Sequence, residues 1–131
     1  MSRPLSEHVT DIFLLVARLV AGGFMLVHGI PKLGKFFADE PVKFADPIGI
    51  GEIPSLVLAV FAEVLCSALL IVGYKTRLAT VPLIITMLVI IFVVHISDGF
   101  RKMELPALYL LTYLVIFAFG PGKYSVDRKF K

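Results

Sequence analysis

Apolar and polar positions along this chain follow neither the 3.6-residue period of an amphipathic helix nor the alternation of a half-buried strand. They fall into four long apolar blocks. Block 9–30 is broken by ionisable residues only at Asp11, Arg18 and His28, block 53–74 only at Glu63 and block 78–96 only at His95, while block 105–122 has none but its tyrosines. Each block is about the 17–25 residues that a helix needs to cross a hydrocarbon core. Lipid offers the backbone no partners, so helices, which satisfy themselves internally, are favoured over an open sheet. The pattern predicts one integral membrane domain over residues 1–131, with spans near 10–32, 54–74, 77–97 and 105–121. The expected fold is all-α: a four-helix transmembrane bundle, up-down and antiparallel.

Composition agrees and narrows the classes. Hydrophobic residues make up 58% of the chain, above the ~45–50% apolar share usual for soluble domains. The net charge of +3 is no nucleic-acid footprint, because the lysines and arginines sit at the block ends. The first block is too long for the apolar stretch of a signal peptide and carries Arg18, so it reads as a retained span. The single cysteine, Cys66, excludes a disulfide framework within one chain and reads as a small packing residue.

Charge around the blocks gives an orientation. Four spans put both termini on one side, together with Arg3, Lys75, Arg77, Lys123, Arg128, Lys129 and Lys131. The other side mixes Lys32, Lys35, Lys43, Arg101 and Lys102 with Asp39, Glu40, Asp46, Glu52, Asp98 and Glu104. Basic residues accumulate on the cytoplasmic face, so both termini are expected in the cytoplasm. The tight GYKTR connection at 73–77 makes spans two and three antiparallel neighbours. The long connection 38–52, rich in proline and glycine yet holding Val42, Phe44, Ile48 and Ile50, is expected to lie on the bilayer surface or over the bundle mouth.

Ionisable groups at membrane depth carry the candidate chemistry. A mid-bilayer charge costs about 2.5–3.5 kcal/mol on insertion scales, and pairing Arg18 with Glu63 would remove most of that. Span two presents Ser55, Ala59, Ala62, Glu63, Cys66 and Ser67 as a small and polar stripe. Span one offers Ala17 and Ala21, a small-xxx-small pair that permits close approach. The expectation is therefore a buried Arg18–Glu63 ion pair, either fixing helix register or leaving Glu63 as a protonatable group in a ligand pocket.

A second cluster falls at the opposite face. His28 and His95 lie near the ends of antiparallel spans, with Lys32, Asp98, Glu104 and Glu52 around them, and Tyr109 and Tyr113 share a face of span four with Thr112 nearby. Histidine can titrate near neutral pH and can hydrogen-bond a quinone carbonyl or ligate a group. It can also simply be wetted at the interface. His28, Lys32, His95, Glu104, Tyr109 and Tyr113 form the candidate ligand or quinone site. No catalytic residue and no metal ligand is assigned. Haem is disfavoured, since bis-histidine ligation needs two rings facing across one pocket. In HGIPK at 28–32, Pro31 is expected to bend the helix exit and turn Lys32 and Lys35 toward the headgroups.

Several local patterns then coincide: Arg18, Gly22 and Phe24 leading into HGIPK, FAE at 61–63, GYKTR at 73–77 and GPGKYSVD at 120–127. Their order and spacing resemble the DoxX family of small bacterial inner-membrane proteins over residues 11–127. The resemblance puts Arg18, Gly29, Lys32, Glu63, Thr76, Arg77 and the 120–127 run on the family's recurring positions; His28 and His95 receive no role from it. It implies a place in quinone-linked redox chemistry, since the family takes its name from subunits of an archaeal membrane enzyme passing electrons from thiosulfate to quinone. Other members are described as partners in oxidoreductase and thiol-stress complexes. On that basis the expected partners, besides the bilayer, are redox-enzyme subunits and further copies of the chain. The rival readings are a non-catalytic scaffold or assembly factor, and a small transporter or channel formed by oligomerisation. The Gly-Pro-Gly before Lys123 follows a membrane helix and reads as a helix stop, not a phosphate cradle.

Overall fold

The structure, a computed structural model, describes residues 4–129; Arg3 and Lys131, which contributed to the orientation reading, lie outside these residues. Four helices long and apolar enough to cross a membrane run up and down: α1 Leu5–Gly34, α2 Glu52–Val72, α3 Thr76–Val94 and α4 Phe100–Phe119. A short α5, Val126–Lys129, ends the described chain. No strand occurs among the described residues, as backbone satisfaction in lipid requires. Sequence neighbours pack side by side, and α4 returns to α1 to close the ring.

Outward-facing positions stay apolar and exposed, as Phe13, Phe24, Leu78, Ile85, Leu108 and Leu111 do. Inside, Leu56, Leu70, Leu83, Tyr113 and Ile116 are fully buried, with Met25, Ala62, Cys66, Ala79 and Met87 around them. Two glycines of α1 set the spacing to α2. A Cβ on Gly22 would meet Ile71 at 2.6 Å, and one on Gly29 would meet the Glu63 Cβ at 2.9 Å. Close helix contact through small residues is the usual device where lipid supplies no hydrophobic drive. Glycines 22 and 29 fill the role expected of Ala17 and Ala21, which turn instead to a groove shared with α4.

Two stretches depart from α-geometry. Phe61–Cys66 in α2 and Ile90–Val94 at the end of α3 form wider turns with i→i+5 bonding, sealed in α3 by the His95 N–H on the Ile90 carbonyl at 2.9 Å. Such widening inserts a residue into the helical face and recurs at functional sites. Here it lets consecutive residues, Ala62 with Glu63 and Cys66 with Ser67, all be buried. Pro31 does not end α1: the helix continues to Gly34, because one missing N–H in its last turn removes little.

Candidate functional site

Charge is gathered at the two ends of the bundle and serves different purposes there. At the end holding the termini, Arg18 is fully buried. Its Nη2 donates to the Tyr124 carbonyl at 2.5 Å and Nη1 reaches the Leu70 carbonyl at 3.5 Å. The chain after α4 lies across this end and is tied down repeatedly. The Lys123 N–H donates to the Asp11 carboxylate at 3.1 Å. The Asp127 carboxylate accepts from the N–H groups of Lys75 and Thr76 at 2.7 and 2.9 Å, and the Asp127 N–H donates to the Gly73 carbonyl at 2.9 Å. Asp127 thus holds the first turn of α3, where Lys75 takes a left-handed conformation (φ 48°) that costs a non-glycine residue about 1–2 kcal/mol. Partial burial pushes the Asp127 carboxyl up, but the Thr76 and Lys75 N–H groups and the Arg18 charge outweigh it and leave it below the usual carboxylate range.

Gly73 sits at the centre of this clasp. Its φ of 75° closes α2, and an added Cβ would collide with the Arg18 guanidinium and with Ser125. Arg77, in the first turn of α3, donates from Nε to the Phe117 carbonyl at 3.0 Å, tying α3 to the last turn of α4.

The Arg18–Glu63 pair expected from the sequence does not form. Helix register explains why. Gly29 of α1 faces Glu63, while Arg18 faces Leu70 and Gly73, so the two charges lie on turns separated by about 16 Å at 1.5 Å rise per residue. Glu63 instead pairs with Lys32, whose Nζ donates to both carboxylate oxygens at 2.6 and 2.8 Å. Lys32 therefore turns inward, not toward the headgroups. Glu63 is buried, while the Lys32 side chain keeps 27% exposure. Burying two charges costs several kcal/mol per ion unless both are well bonded, and the bidentate contact meets that condition. An ammonium has three donors; two are engaged on Glu63.

This pair lies between two hollows. A cavity of about 340 Å³ is lined by Lys32, Glu63, Ser55, Thr86 and His95 among apolar side chains, and roofed by Phe44, Pro47 and Ile48 of the long connection. The roof is latched: the Asp46 carboxylate accepts from the Ile50 and Gly51 N–H groups at 2.8 and 2.9 Å and from the Ser55 hydroxyl at 3.0 Å. Lys32 Nζ also lies 5.9 Å from the Phe44 ring centre, within cation–π range. Both widened turns border this cavity, one through Glu63 and the other through Ile90 and Val94. A smaller hollow of about 100 Å³ on the other side of the pair is lined by His28, Tyr109, Met25 and Met87. There the His28 ring meets Tyr109 edge-on at 6.1 Å, and Tyr109 stacks on Tyr113 at 6.0 Å.

Of the six expected site residues, Lys32, His28 and Tyr109 meet at the small hollow, and Tyr113 backs them from the core. His95 opens onto the larger cavity and pairs with Asp98 at 2.9 Å, so the two histidines line different hollows with Lys32 and Glu63 in both. That arrangement does not suit one haem held between them. Glu104, in the second turn of α4, is exposed and lines neither hollow. Among the described residues no group of three or more His, Cys, Asp or Glu side chains is gathered as a metal site would need. Sequence reasoning did not bring Phe44, Asp46 or Ser55 into the site. The signal available was an Asx residue a few positions ahead of a helix start.

Four apolar spans around a buried ion pair define a multi-pass helical membrane protein. The pattern of the DoxX family matches residues 13–96, and the chain belongs to that family. The match covers α1 from Phe13 onward together with α2 and α3, with Arg18, Gly29, Lys32 and Glu63, and stops short of the 120–127 tail. An uncharacterised protein of Haemophilus influenzae is 30% identical over 131 residues, covering 95% of each chain. A second uncharacterised protein of the same organism is 27% identical, over 93% of this chain and 85% of its own length. No solved structure matches.

Proposed function

We propose that this chain provides a quinone-binding site, in the bacterial inner membrane, for a redox assembly whose electron-donating subunit is a separate polypeptide. The observation that carries this reading is the Lys32–Glu63 pair set between two apolar-walled hollows beneath a latched loop. A quinone is a flat ring with acceptor oxygens on opposite edges and an apolar tail. Lys32 retains a donor for one such oxygen, and His28 and Tyr109 border the same hollow. Aromatic Phe44 offers a face to a ring, and the 340 Å³ cavity is within the range of small-molecule sites. Reduction of a quinone takes up two electrons and two protons. The partner subunit supplies the electrons, and Glu63 and Lys32 are the groups positioned to hold protons beside the ring. In this reading the clasped end, with its basic residues, faces the cytoplasm.

The test is to purify the protein in mild detergent and analyse its organic extract. Stoichiometric quinone, absent from folded Glu63→Gln and Lys32→Met variants, supports the site. No quinone in the extract, together with no thermal shift on adding a benzoquinone, overturns it and leaves the scaffold reading. Orientation is checked separately by a C-terminal alkaline phosphatase fusion, which stays inactive if that end is cytoplasmic.

A further inference from the structure

The hollows continue outward to the lipid. A groove of about 470 Å³ runs between α1 and α4, with Ala17 and Ala21 as its floor and Leu108 and Leu111 on its rim. Phe13 and Phe24, each 60% exposed, stand at its two ends, so it extends about 16 Å at 1.5 Å per residue. Any lipid-facing crevice is filled by acyl chains; this one differs in what lies behind it. Tyr109 and Leu105 line both the groove and the small hollow that holds His28, Lys32 and Glu63. Lys32, Glu63 and Ile90 in turn line both that hollow and the cavity under the loop. Two spaces therefore stand in series from the bilayer to the ion pair, and the third lies beyond it, with the Tyr109 ring as the partition of the first doorway. α4 is also the least buried span, 17% against 39% for α2, so the α1–α4 seam is the loosest wall of the bundle.

We infer that the ligand enters sideways from the bilayer between α1 and α4, past Tyr109, and that its apolar tail stays in the groove while its ring reaches Lys32 and Glu63. The inference rests on the quinone-site reading and adds the route and the chemical class: a ring-headed lipid with a long tail, not a water-soluble ring. Tyr109 is held by ring contacts to His28 and Tyr113, and turning off that stack joins the groove to the inner hollow. The small floor residues Ala17 and Ala21 leave room for a tail without displacing a core side chain.

The experiment uses the full chain in lipid nanodiscs and two probes, a decyl-substituted benzoquinone and its tail-less counterpart. The wild type is expected to bind the decyl form at least about tenfold tighter, since the groove buries part of the tail and only part of the transfer gain survives competition with lipid. Leu111→Trp fills the groove from its exposed rim and Ala17→Phe fills it from the floor. Each is expected to bring the two affinities together while leaving the tail-less affinity unchanged, which also reports that the variant is folded. Tyr109→Ala should raise the association rate of the decyl form. If both filled-groove variants keep the full preference for the tail, the tail lies elsewhere and the inference fails while the quinone site stands. If neither probe binds wild type, both fail together.

Discussion

The two ends of the bundle use the same kinds of residue to opposite effect. At the clasped end Arg18 and Asp127 contact mainly backbone groups. At the far end Lys32 and Glu63 contact each other, and hollows lie on both sides. A charge bonded to main-chain groups holds a shape. A charge bonded to another side chain can exchange that partner for a ligand. Burial alone, equally deep at Arg18 and Glu63, does not distinguish the two ends; the nature of the partner does.

The comparison breaks most visibly at Gly73. Gly73→Val adds a side chain where φ is positive and where Arg18 and Ser125 already sit, so a loss above about 4 kcal/mol is expected, read as absence of monodisperse protein on size exclusion. Gly23→Ala, with open space around it, should behave as wild type. Comparable yields would dissolve the clasp.

Removing the charge at either end sharpens the contrast. Arg18→Met strands the Tyr124 carbonyl and weakens the hold on Asp127, and is expected to cost about 3 kcal/mol in thermal unfolding. Glu63→Gln keeps its shape and an acceptor for Lys32, so about 1 kcal/mol is expected alongside the loss of quinone. Equal destabilisation would mean that the far end is structural too. Charge exchange tests the pairing itself. Lys32→Glu combined with Glu63→Lys should recover folded protein that either reversal loses, whereas Arg18→Glu combined with Glu63→Arg should recover none.

Acid should act through the clasp. The Asp127 carboxyl lies below its ordinary value of 3.8 when folded. Its contribution is therefore complete above about pH 4 and is lost as pH falls through the lower folded value. Melting temperatures between pH 6 and pH 3 should drop more steeply in wild type than in Asp127→Asn, whose melting temperature is already lower. Parallel curves would show that Asp127 does not report the clasp.

The smallest effect is at the roof. Asp46→Ala removes the acceptor of the Ile50 and Gly51 N–H groups and should speed their hydrogen exchange roughly tenfold, with melting unchanged.

Hydropathy made the four helices legible because lipid imposes a length and an apolar composition on each of them. It could not make register legible. The pairing of Arg18 with Glu63 assumed that the arginine side chain could reach the mid-span glutamate, whereas α1 begins at Leu5 and α2 at Glu52, which slides Gly29 opposite Glu63. A closer reading of α1 would have corrected Lys32. The buried positions 11, 14, 18, 21, 22, 25 and 29 form a three-and-four stripe whose next member is residue 32, pointing inward, and Pro31 drew attention away from it. The tail was read only as a helix stop because Tyr124 and Asp127 meet partners far away in sequence, the Arg18 guanidinium and the Lys75 and Thr76 N–H groups, which leave little trace in the local pattern. The small hollow was half legible: His28, Lys32 and Tyr109 were named from the sequence, and the loop over the larger cavity was not tied to them.

One distance along the chain bears on biogenesis. Arg18 and the carbonyl it binds at Tyr124 are separated by 106 positions. During synthesis the first span thus enters the membrane with its arginine lacking that partner, and gains it only after the segment beyond α4 has left the ribosome. A chain cut short before Tyr124 would carry four apolar helices and a guanidinium left with only its longer contact to the Leu70 carbonyl. The segment after α4 thus closes a contact that the first helix leaves open, so the clasp can form only once all four helices have been made.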